Sequence, residues 1–126
     1  CHFLPLFNGT VPPNFKKTEQ EILGVAVNAE NKTFDADPGR GKFHETVPSL
    51  QHSFKTPTLR NIQKTAPYMH NGGYKTLKEV MNFYNKGGGK AFGFKVENQT
   101  LSDDPLQLTD KETDDIIEFM KALNDQ

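Results

Sequence analysis

Cysteine is nearly missing from this chain: Cys1 is the only one among 126 residues. No internal disulfide can form, so cysteine usage does not reveal the redox compartment. Tryptophan is absent altogether. No stretch approaches the roughly 18 consecutive apolar residues that a membrane-crossing helix needs. There is no Lys/Arg run, and the formal net charge is -1, which argues against nucleic acid or an anionic membrane as partner. Apolar residues are also scarce, at 34%, below the usual globular share. Gly and Pro are plentiful, at 10 and 8 residues. Residues 1–126 therefore read as one loop-rich domain with little spare apolar surface, able to build its core around a large apolar cofactor.

Two segments carry strong helix signals. Thr76 and Glu79 have capping-box spacing. Behind them Leu77, Val80, Met81 and Tyr84 fall on one helical face, and Gly87, Gly88 and Gly89 end the helix. Thr109 and Glu112 repeat the box, with Ile116, Phe119, Met120 and Leu123 as the expected buried stripe. The rest is irregular. A short helical turn is expected before Pro5. Residues 19–29 are compatible with either a short helix or a strand, and 31–41, 44–52 and 90–108 read as loop. The fold class is mostly α, with long loops and few or no strands.

Metal-ligating side chains concentrate between Phe54 and Gly89, while the opening dipeptide is Cys1-His2. Cys-His is the end of a C-x-x-C-H haem attachment site, in which thioethers anchor the porphyrin and the His ligates iron. An incidental thiol is the plain alternative. Met69, His70, Met81 and Tyr84 are the candidates for an opposite ligand. Met81 also reads as core, Met69 and His70 as turn residues, and Tyr84 as a core tyrosine. Spacing alone does not choose among them.

The run FKTPTLRNIQKTAPYMHNGGYKTLKEVMNFYNKGG, residues 54–88, resembles the C-terminal haem domain of the bacterial di-haem cytochrome c peroxidase and MauG family. Asp37-Pro38-Gly39-Arg40 resembles the family's D-x-G-R segment, and LTDKETDDIIEFMKAL its closing helix. The resemblance implies a cytochrome c-like haem domain holding haem c. Cys1 would carry one thioether and His2 would be the proximal iron ligand. Tyr84 stands where the peroxidases place a distal Met, which is the MauG-like choice. A hard oxygen donor there lowers the haem potential. Thr65 and Pro67 match backbone-carbonyl ligands to a calcium ion. Arg60 suits a haem propionate or a loop carboxylate, with Lys55 a lesser candidate. His44 and His52 match no ligand position and read as polar surface.

The resemblance further implies a fragment without the N-terminal haem domain, inactive alone. In the intact periplasmic enzyme it would store and relay electrons for hydrogen peroxide-dependent oxidation at a partner haem. Its partners would be the N-terminal domain of the same protein and an electron-donor or substrate protein, with a homodimer as candidate assembly. With no Trp here, any indole bridge between haems would lie in that other domain. The rival readings are a mono-haem electron carrier and a haem-free interaction domain of the same fold.

Overall fold

Thr76 opens the helix α1, Leu77–Lys86, in the computed structural model, which describes residues 1–125. The Thr76 side chain accepts the Glu79 N–H while the Glu79 carboxylate accepts the Thr76 N–H. Both halves of the expected box form, satisfying two donors that a helix start leaves unpaired. Gly87 closes the helix at φ 105. A side chain there would also strike the Asp103 backbone, so only glycine fits.

Helix α1 is buried on two sides. Leu77 and Met81 pack with Met120, beside Leu59, Ile116 and Ile117. Val80 and Tyr84 turn the other way, onto Val25, Tyr74 and Phe83. The predicted face is thus divided between two clusters. Phe83, which the pattern leaves off that face, is fully buried.

The three glycines do more than end α1. Gly88–Ala91 form a one-turn helix, α2. The Gly89 N–H donates to the Leu23 carbonyl at 2.8 Å, and a Cβ on Gly89 would run into the Gly24 carbonyl. Two backbones meet here with no room for a side chain.

Helix α3, Asp110–Ala122, starts with the second capping box, Thr109 and Glu112. Its inward stripe differs from the expected one. Thr113 and Met120 are buried, with Ile116 and Ile117 between them, whereas Phe119 is 53% exposed. Phe119 lies sideways of the α1 contact, its ring 6.0 Å from that of Phe7 in an edge-on pair. Lys78 of α1 reaches Asp114 at 2.9 Å across the helix pair.

Strands are minimal. β1, Gln20–Glu21, pairs antiparallel with β2, Phe54–Lys55, placing Gln20 opposite Lys55 and Glu21 opposite Phe54. Past β1 the chain leaves the ladder, yet Ile22, Val25 and Ala26 remain buried. The expected helical turn before Pro5 does not form. Residues 4–7 make a turn closed by the Phe3 N–H on the Asn8 carbonyl at 2.8 Å. The 31–55 region is also less irregular than expected, with 3₁₀ turns at Arg40–Phe43 and Pro48–Leu50. Regular structure is mostly helical with few strands, joined by long loops.

Candidate functional site

The turn after His2 is held by three consecutive residues on the far side of β2. The Thr58 hydroxyl donates to the Leu6 carbonyl at 2.9 Å. The Leu59 N–H donates to the Phe7 carbonyl at 2.9 Å. Arg60 Nη2 donates to the Pro5 carbonyl at 2.9 Å, with its guanidinium 5.5 Å over the Phe7 ring. Thr-Leu-Arg therefore clamps three successive carbonyls of the segment carrying His2. Arg60, read from sequence as a propionate or carboxylate partner, is engaged by a backbone carbonyl and an aromatic face in this arrangement.

His2 Nδ1 lies 3.2 Å from the Phe7 carbonyl that Leu59 fixes. A carbonyl only accepts, so Nδ1 carries the proton and the neutral ring keeps its lone pair on Nε2. Burial pushes the His2 pKa below its ordinary value, outweighing the carbonyls of Phe7 and Pro57 and the Glu21 charge that favour the imidazolium. The ring is therefore neutral at pH 7. A carbonyl accepting from one nitrogen, with the lone pair left on the other, is the arrangement usual at metal-ligating histidines.

Tyr84, near the C-terminal end of α1, packs beside Phe83, ring to ring at 5.7 Å. Its hydroxyl has no hydrogen-bond partner among the described residues. Burial raises its pKa to about 12, and the Glu21 charge adds to the shift. The Glu21 charge is felt at both His2 and Tyr84. The Cys1 thiol also lies near Glu21. Its sulfur and one carboxylate oxygen each of Glu19 and Glu21 lie within 4.8 Å of one another. Glu19 Oε2 is also 3.8 Å from the Cys1 nitrogen.

Other candidates are occupied elsewhere. His70 Nε2 is 3.3 Å from Asp35, and its ring stacks on Phe54 at 3.7 Å. Burial lowers the His70 pKa despite the Asp35 charge, so at pH 7 a neutral ring hydrogen-bonds the carboxylate. Met69 packs against the Val25, Tyr74 and Phe83 cluster, and Met81 against Leu77 and Met120. His44 is exposed, but His52 is half-buried, with Nδ1 2.8 Å from the Asp37 carbonyl and its ring edge-on to Phe34. Thr65 and Pro67 are exposed residues, and their carbonyls accept no hydrogen bond among the described residues. An open depression of about 570 Å³ lies apart from Cys1, His2 and Tyr84, lined by residues including Arg40, Phe43, Phe54 and Lys55.

Sequence reasoning missed Glu21 and the Thr58 hydroxyl. Thr58 lies within the singled-out T-P-T-L-R run, whereas nothing in the local pattern around Glu21 marks it.

A lone-pair imidazole next to a thiol in sequence, and a tyrosine whose hydroxyl has no partner among the described residues, are donors of the kind haem proteins use. Sequence and fold together place the chain in the bacterial cytochrome c peroxidase and MauG family. It is 43% identical over 90 residues to the cytochrome-c peroxidase IdrP1 of Denitromonas iodatirespirans, covering 71% of this chain and 23% of that protein. It is 35% identical over 107 residues to the methylamine utilization protein MauG of Methylorubrum extorquens, covering 84% of this chain and 28% of that protein. The crystal structure of a MauG-like protein associated with microbial copper homeostasis superposes with a TM-score of 0.67 at 30% identity, over 87% of this chain and 33% of that one. The chain thus spans about a quarter of the length of these two curated relatives. No protein-family model matches it.

Proposed function

We propose that this chain is a cytochrome c-like haem domain, the C-terminal one of a di-haem peroxidase of the MauG type. Cys1 would form one thioether to haem c, with His2 Nε2 and the Tyr84 oxygen as the iron ligands. The observation that carries this reading is the His2 ring, neutral and donating its Nδ1–H to the Phe7 carbonyl, directly after the thiol. The Nε2 lone pair and the Tyr84 hydroxyl, unpartnered among the described residues, are the donor types that would hold the group. When bound, haem c supplies one-electron redox chemistry.

The chain's own residues then have separable tasks. Thr58, Leu59 and Arg60 hold the His2 turn, and the two-sided packing of α1 fixes Tyr84. Tyrosine is a hard donor that favours ferric over ferrous iron. The domain therefore suits storage and relay of oxidising equivalents for peroxide-dependent oxidation at a partner haem in the intact oxidoreductase. Covalent haem attachment of this kind belongs to the periplasm, which is the location we assign. The partners are the N-terminal haem domain and an electron-donor or substrate protein. The free Thr65 and Pro67 carbonyls suit calcium, which accepts neutral oxygens and completes its shell with water.

The test is the full-length protein matured with the cytochrome c machinery. Denaturing electrophoresis should leave haem on the polypeptide, and His2→Ala should abolish the six-coordinate low-spin spectrum of this haem. An intact spectrum in His2→Ala overturns the ligand assignment. Mature protein with no Soret band overturns the haem reading.

A further inference from the structure

We infer that Glu21 is a positioning charge that lowers the reduction potential of the redox group held at Cys1 and His2. The inference rests on the haem reading above and adds a residue to it. A carboxylate oxygen of Glu21 lies within 4.8 Å of the Cys1 sulfur, so it would border whatever group that sulfur anchors.

The charge is held in place. The Thr100 hydroxyl donates to Glu21 Oε2. Thr100 is itself fixed against the next residue: its Oγ1 accepts the Ile22 N–H at 3.0 Å, and its N–H donates to the Ile22 carbonyl at 2.9 Å. The antiparallel pairing of Glu21 with Phe54 fixes the backbone from the other side. Among the described residues no Lys, Arg or His side chain forms an ion pair with Glu21.

A fixed negative charge beside a one-electron centre stabilises the oxidised form, which carries one more positive charge, over the reduced form. Glu21 is only half-exposed, so solvent screens it less than a free surface carboxylate. The direction follows from charge alone and needs no contact with the iron.

The experiment is a redox titration of full-length, haem-loaded protein, followed in the visible spectrum. Glu21→Gln should shift the ferrous-to-ferric ratio at fixed potential about tenfold towards ferrous, an upward midpoint shift of about 59 mV for one electron. The ferric spectrum should stay unchanged, because no iron ligand is altered. Glu21→Asp keeps the charge and should titrate close to wild type. Thr100→Val releases the carboxylate towards solvent and should give a smaller rise in the same direction. It reads the same charge if the Gln variant fails to mature. A wild-type midpoint in Glu21→Gln, or in Thr100→Val where the Gln variant does not mature, overturns the inference and leaves the haem reading standing. Wild-type protein without covalent haem overturns both.

Discussion

Replacing Tyr84 by Phe removes one oxygen and leaves the packing of α1 almost unchanged. The consequence can be worked from the site. Burial, with the Glu21 charge behind it, holds the free phenol at a pKa of about 12. Forming the phenolate at pH 7 therefore costs about 7 kcal/mol, at roughly 1.4 kcal/mol per pH unit. A metal that binds this oxygen as phenolate must offset that cost and releases one proton in doing so. The sign follows: ligation strengthens as pH rises and weakens about tenfold for each unit that pH falls below 12. Ferric absorption spectra of the full-length, haem-loaded protein, taken from about pH 9 down to about pH 5, check this. Wild type should show a one-proton change of ligation on acidification if the transition falls in that window. Tyr84→Phe should differ from wild type throughout, show no such transition, and have a higher midpoint potential. Superimposable spectra of the two proteins across the range would refute the reasoning.

Three further outcomes are expected. Tyr74 is fully buried, bonded to Asn31, with a pKa raised by burial to about 12. The folded state therefore keeps its proton after the unfolded chain has lost it. This contribution is complete below pH 10 and is lost as pH rises through 12, by on the order of 2–3 kcal/mol. Tyr74→Phe should flatten that part of the alkaline stability curve in denaturant titrations; an unchanged curve contradicts the assignment. Gly89→Ala should destabilise by about 2 kcal/mol or more because its Cβ meets the Gly24 carbonyl. Thermal unfolding measures it, and a wild-type midpoint would show that the two backbones are not held in contact. Thr58→Val removes the hydroxyl that bonds Leu6 and accepts the Arg60 N–H. It should cost about 1 kcal/mol in the same assay, and an unaltered midpoint would remove Thr58 from the clamp.

The helix starts were legible because a capping box is local, complete within four residues at Thr76–Glu79 and Thr109–Glu112. The Gly87 stop was legible for the same reason. Burial was harder to read. Phe119 has helical spacing with Ile116 and Met120, yet α3 meets α1 on the side of Thr113, Ile117 and Met120, leaving Phe119 exposed. Periodicity names a stripe but does not say which edge of it meets a neighbour. The 4–7 turn escaped because it is pinned from Thr58, Leu59 and Arg60, about fifty residues away. Family resemblance pointed to His2 and Tyr84 but said nothing of Glu21. Its carboxylate is held by Thr100, 79 residues later, and no local pattern encodes such a pairing.

That separation also has a bearing on the order of folding. Helices α1 and α3 can begin from their own caps, whereas the Glu21–Thr100 clasp and the Thr58–Arg60 clamp each close a long loop. Loop closure must be met before such contacts repay it, so non-local pairings form late. The segment carrying His2 is then among the later pieces to dock. A group joined to Cys1 would be drawn in as this segment docks. Attachment at Cys1 and docking of this segment would then compete in time.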